Sequence, residues 1–346
     1  MKSYNKRYNY KKWHDKRCQK LEKNKRKNKK YDPYKTPIYL RNSDEYIEAE
    51  PISAPKSLCL LENTEECLYF FKNMRKDKNI SKFKRVCFIQ IDLTDLTTFD
   101  YSSICILISI IRDLETKNIL IRGNFPKDDT CKNKIKESGL LNFMRDNQGN
   151  PFKKSSKSDL LFLEKGSKSL SKKDNIRISE NIRNAVEHLT GEKRHLQRLR
   201  KIILEICGNS IEWSGTKKRQ WLLGVMYDEK KVIFTITDVG KGILKTLNLK
   251  LKYKLNNLPD YSNEEILKNA FEKKYESSSR EINRNKGLPS VKKAYDDNLI
   301  ENLKVVTNDV MLDYGNLMKS YNFKSYKFDG TFYRWTITRD TVHKNL

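Results

Sequence analysis

The chain has 346 residues, 37% hydrophobic and 33% charged, and its 71 Lys and Arg outweigh 44 Asp and Glu for a net charge of +27. That apolar share is enough for globular cores and excludes disorder along the whole length. The charge excludes an acidic solvating protein and favours a polyanionic partner, and the length predicts two domains at roughly 150 residues each.

Residues 1–36 read as a basic, disordered tail. The first 30 hold 14 Lys and Arg against Asp15 and Glu22, with Tyr4, Tyr8, Tyr10 and Trp13 interleaved and no apolar periodicity. Such a tail suits phosphate contacts and base stacking, so a nucleic acid is one candidate partner. Pro33 and Pro37 mark an extended connector.

Residues 37–147 show an α/β pattern. A short helix is expected at 62–71 and a buried strand at 86–93. Asp100 to Ser102 offer an N-cap to a helix carrying Ile104, Leu107, Ile108, Ile111 and Leu114. A second strand is expected at 118–122, ended by Gly123 and Pro126, and Asp128 or Asp129 can cap a helix through 135–141. Strand–helix–strand–helix order implies a parallel sheet flanked by helices. The polar stretch 148–175, rich in Ser, Lys and Gly, reads as a linker.

Residues 176–346 form the second predicted domain. Helices are expected at 176–189 and 193–213, then strands at 220–227 and 231–238 around a turn at 228–230. A Lys-rich segment, 243–283, follows; Ser262 and Glu265 form a capping box there for a helix through Phe271. A loop runs into a helix over 285–298, and strands at 303–308 and 331–338 complete the set.

Seven scattered cysteines without a CxxC predict free thiols in a reducing cytoplasm. His14, His188, His195 and His343 show no zinc spacing with Cys pairs. The longest apolar run, 104–111, is far shorter than the ~20 residues a bilayer needs. The basic N-terminus lacks the apolar stretch of a secretory signal, so no membrane association is expected.

Three segments carry the chemistry. In Leu204 to Trp213, Glu205 and Asn209 lie one turn apart on a helical face, beside the apolar positions Leu199, Ile202 and Ile206. Polar groups half-sunk in a core face need partners, and a hydrated Mg²⁺ would supply them. In Phe234 to Ile243, a strand ends at Asp238, followed by Gly240 and Gly242, which allow close backbone approach. In Arg284 to Val291, a glycine loop enters a helix and offers N–H groups to phosphates, without being a Walker A loop. Taken singly, each segment also fits an ordinary helix face, strand turn or loop.

In this order the segments resemble the nucleotide site of the GHKL superfamily, which includes gyrase B, MutL-type repair proteins, histidine kinases and anti-sigma-factor serine kinases. Glu205-x-x-x-Asn209 resembles its N box, Asp238-x-Gly240-x-Gly242 its first glycine box, Arg284 to Leu288 its second, and Gly330-Thr331 the opening of its final strand. The resemblance implies a two-layer α/β sandwich binding ATP and Mg²⁺. Asn209 would bind the metal, Asp238 the adenine amino group, and Arg284, Lys286, Gly287 and Leu288 would surround the phosphates. Thr331 would support the adenine end, residues 243–283 would form a lid, and Glu205 would orient or deprotonate the attacking water. Asn285 replaces the first glycine of the second box; Asn tolerates left-handed conformations better than most residues. Trp213 stands four residues after Asn209, where the small regulatory kinases often have His.

The stretch Phe88 to Leu93, then Phe99 to Ser103, the helix after it and 118–122 resemble a STAS-type domain, as in anti-sigma-factor antagonists. That resemblance makes Ser102 a candidate phosphoacceptor, with Ser103 in the place of the usual glycine. The functions implied are an ATPase-driven switch acting on a protein partner, a serine/threonine kinase acting on a STAS-like partner, or a nucleic-acid-associated protein whose ATP site tunes assembly, each compatible with a homodimer. Trp213 and the long lid favour the first. A histidine kinase fits less well, because His188 and His195 lack the following Glu and Pro of a phosphoacceptor helix.

Overall fold

The computed structural model describes residues 51–75, 88–153, 161–166, 170–215, 218–252, 262–272, 287–315, 319–323 and 325–346. The predicted tail at 1–36 lies outside them. All described residues belong to one compact unit, Ala49–Leu346.

The chain enters through β1 (Ile52–Ser53), β2 (Ser57–Leu58) and α1 (Thr64–Met74). Then come β3 (Phe88–Asp92), β4 (Thr98–Phe99), α2 (Tyr101–Glu115), β5 (Leu120–Gly123) and α3 (Asp129–Glu137). β1, β3 and β5 form a parallel sheet in that order, and β2 pairs with β4 in parallel. The expected parallel sheet is therefore present, with short strands added at β1, β2 and β4. Asp100 caps α2 by accepting the Ser103 N–H at 2.7 Å.

α2 is the hinge of the architecture. It buries not only the expected face but also Ile106, Ile110, Ser102, Ser103 and Ser109. A helix apolar on all sides must be covered on all sides. α2 packs on β5 and α1 within the N-terminal layer and also against β7 (Trp221–Tyr227) and β8 (Lys231–Asp238) of the second sheet. One core accordingly joins Ile104, Leu107 and Ile111 to Leu222, Val306 and Phe332.

Among the described residues the second sheet has seven antiparallel strands. Its other members are β6 (Leu161–Gly166), β9 (Glu301–Asn308), β10 (Val310–Asp313), β11 (Lys319–Asn322) and β12 (Phe328–Thr338), in the order β11-β10-β9-β12-β8-β7-β6. Its helices are α4 (Lys172–Thr190), α5 (Gln197–Trp213), α6 (Ile243–Lys252), α7 (Asn263–Phe271), α8 (Gly287–Asp296) and α9 (Arg339–Asn345). Alternation sorts the strand residues. Val232, Phe234 and Ile236 join Tyr333, Trp335 and Ile337 in the core under α4, α5 and α8, while Leu222 and Phe332 face the α2 core. The Phe234 and Trp335 rings stack at 5.7 Å. The sheet is thus covered on both faces.

Two expectations are corrected. The stretch 148–175, read as a linker, supplies edge strand β6, paired with β7 from Leu161 to Gly166, and the start of α4. Its polar flanks are those of an edge strand, where charged neighbours are tolerated. The long helix expected from 193 begins at Gln197. The capping box at Ser262 and Glu265 is formed as expected. Within the expected lid, α6 and α7 are helical, and 253–261 and 273–283 lie outside the described residues. Among the described residues no helix is long and apolar enough to cross a membrane.

Candidate functional site

The site forms where α5, the end of β8 and the start of α8 meet. α5 buries Leu199, Ile202, Ile203, Ile206, Cys207 and Ser210. Glu205 and Asn209 flank that stripe, half-buried, on successive turns. The Glu205 carboxylate oxygen Oε2 is buried without a hydrogen-bond partner among the described residues. Asn209 makes no side-chain hydrogen bond among the described residues.

β8 delivers Asp238 beside its neighbour Ser210. The carboxylate accepts the Ser210 hydroxyl at 3.0 Å and the Gly240 N–H at 2.9 Å. Burial pushes the Asp238 carboxyl up to about 6; the Gly240 amide, the Ser210 hydroxyl, the Arg75 guanidinium and the Thr331 hydroxyl oppose that rise. Thr331 is the cross-strand partner of Asp238 on β12.

The turn after Asp238 is pressed against the end of α5. Lys241 N–H donates to the Ser214 carbonyl at 2.8 Å. A Cβ on Gly240 would lie 2.4 Å from the Ser214 backbone, so only glycine fits. Gly242 then takes a left-handed φ of +80°. The start of α6 is held from across the sheet: Ile243 N–H donates to Thr307 Oγ1 at 2.9 Å, and Asn308 Nδ2 donates to the Lys241 carbonyl at 3.0 Å. These two caps were not foreseen, because they come from β9, over 60 residues away.

α8 brings in the third segment. A Cβ on Gly287 would lie 2.7 Å from Asn209 Nδ2, which places the opening of α8 directly on the Asn209 amide. Leu288 packs at the margin of the helical core. Arg284 and Lys286 lie outside the described residues. Of the expected site residues, Glu205, Asn209, Asp238, Gly240, Gly242, Gly287, Leu288 and Thr331 are thus placed around one junction.

Ser102 is elsewhere. It is 3% exposed on the sheet-facing side of α2. There it lines a cavity of about 230 Å³ with Asp100, Thr235 and Arg334. A kinase could reach it only after α2 left the sheet, so Ser102 is not presented as a phosphoacceptor in this structure.

Sequence reasoning also missed Arg75. Its guanidinium donates to the Val239 carbonyl at 2.7 Å and to the Asp329 carbonyl at 2.5 Å. No local pattern signals a contact across that many residues. Among the described residues, no group of three or more His, Cys, Asp or Glu could hold a metal ion. No protein-family model matches the chain, and no curated protein or solved structure is significantly similar to it.

Proposed function

We propose that residues 161–346 form a GHKL-type site for Mg-ATP, and that the chain uses it as a nucleotide-driven switch acting on a protein partner. One observation carries the reading. Two adjacent residues of α5 join the other two segments: Ser210 donates to Asp238, and Asn209 faces Gly287. Three separate stretches thereby meet at one junction, which supports the resemblance.

The roles follow from chemistry. Asp238 accepts a hydrogen bond from the adenine amine, with Thr331 beside it. The Gly240 and Gly242 turn, packed against Ser214 and Asn308, would shape the pocket beside the base. The opening of α8 offers N–H groups and the positive end of its dipole to phosphate oxygens. Asn209 would hold Mg²⁺ through its amide oxygen, and the unpartnered oxygen of Glu205 suits a base that orients or deprotonates water. When bound, Mg-ATP supplies the anionic triphosphate and the bond to be cleaved. Positioning and electrostatics do most of the work in such reactions.

The N-terminal layer, with its β3–α2–β5 parallel unit, supports the STAS-like reading of that half. Its burial against the sheet suggests how a switch would work: nucleotide alters the contacts of a layer already packed on the sheet that carries Asp238. Such a shift requires different nucleotide affinity in the two states. The burial of Ser102 favours this reading over phosphorylation of the chain's own serine. The test is ATP binding and phosphate release with Mg²⁺ by the wild type and Glu205→Ala. Binding retained with release lost in the variant supports an ATPase switch; absence of binding by the wild type refutes the site.

A further inference from the structure

We infer that Arg75 is a positioning residue of the nucleotide site, through which the N-terminal layer becomes part of that site; the inference rests on the proposed function above. Arg75 caps the C-terminal end of α1. Its two donor groups take the carbonyls of Val239 and Asp329. Val239 directly follows Asp238, and Asp329 lies two residues before Thr331, the cross-strand partner of Asp238. One planar fork thus brackets the pair that would hold the adenine end. Two carbonyls on separate segments, one just past the end of β8 and one on β12, suit a guanidinium, whose donors are fixed in one plane.

The mount is firm. Phe70, Phe71 and Met74 of α1 share a core with Val239, Phe328 and Phe332 on the sheet side. α6 joins the same corner, because Lys245 Nζ donates to Asp329 Oδ1 at 2.5 Å. Electrostatics point the same way: the Arg75 charge favours the ionised form of Asp238, the form that accepts an amine hydrogen bond. The titratable groups facing Asp238 from α5 and β12 are Cys207 and Tyr333, and burial raises both so that they stay neutral. A displacement of α1 would therefore change both the geometry and the charge of the base-binding carboxylate. By linkage, nucleotide would change the position of α1 to the same extent.

The experiment measures Mg-ATP affinity from pH 5.5 to 8.5 for the wild type, Arg75→Ala and Arg75→Lys, with thermal midpoints in parallel. Arg75→Ala is expected to weaken binding about tenfold at pH 7. The pH at which half the affinity is lost should also move upward. Arg75→Lys restores the cation, so it should return that pH towards the wild-type position while recovering only part of the affinity. Wild-type affinity and pH midpoint in Arg75→Ala overturn the inference. So does a loss that follows thermal destabilisation in both variants without a pH shift. No binding by the wild type overturns the nucleotide reading itself, which is a separate result.

Discussion

Asp238→Asn separates what the site needs from what the fold needs. In the folded chain the Asp238 carboxyl is pushed from 3.8 up to about 6. At 1.36 kcal/mol per unit, keeping it ionised in the folded protein costs about 3 kcal/mol above pH 6. The sign is fixed by proton counting. Between about pH 4 and 6 the folded state holds a proton that the unfolded state has released, so this group's stabilising contribution is full below pH 4 and is lost as pH rises to 6. Asparagine has no charge to bury. Its oxygen can accept the Gly240 N–H, and the Ser210 hydroxyl can turn to accept from its nitrogen. Asp238→Asn should therefore be more stable than the wild type at pH 8, by up to about 3 kcal/mol, and equal to it near pH 4. Urea denaturation of both proteins at the two pH values reads this difference directly. ATP affinity should move the other way, by tenfold or more, because asparagine lacks one acceptor oxygen and the charge that strengthens a hydrogen bond from the proposed adenine amine. A variant no more stable than the wild type at pH 8, or a difference that is the same at both pH values, would refute the argument.

Three further predictions follow from the geometry. Gly240→Ala and Gly287→Ala should behave differently: the first drives a methyl into Ser214 backbone and should lower stability by about 1–3 kcal/mol. The second meets only the end of the Asn209 side chain, so thermal unfolding should stay near wild type while Mg-ATP affinity falls. Leu107→Ala, in the fully buried middle of α2, should cost about 2–5 kcal/mol and shift one common unfolding transition; a transition confined to the N-terminal layer would contradict the shared core. Wild-type ATP affinity should fall as pH drops below about 6, as Asp238 gains its proton; a flat titration from pH 7.5 to 5.5 would argue against the carboxylate as adenine acceptor.

What the sequence displayed, and what it hid, divides by the range of the interaction. The Ser262 and Glu265 box, the 231–238 strand and the Asp100 cap are encoded within four to eight residues, and they appear where periodicity and capping chemistry place them. The apolar run 104–111 showed that α2 was strongly buried, but not that two sheets would share it. β6 was hidden because an edge strand with charged flanks looks like a linker. Thr307 and Asn308 were hidden because each works across the sheet, and Arg75 because it reaches the sheet from α1. Their side chains meet backbone groups 64 to 254 residues away, and no spacing rule reaches that far. At the junction, residue types at motif spacing singled out Glu205, Asn209, Asp238 and Gly287, which the fold brings together. Ser210 could have been found from its place beside Asn209 on the buried stripe.

Equilibrium titration of the purified chain with Mg-ATP, beside Asn209→Ala, tests the central claim most directly. The account predicts saturable binding by the wild type and at least tenfold weaker binding by the variant, with unchanged thermal unfolding in the absence of nucleotide. Equal affinity in the two proteins, or no saturable binding by the wild type, would contradict it.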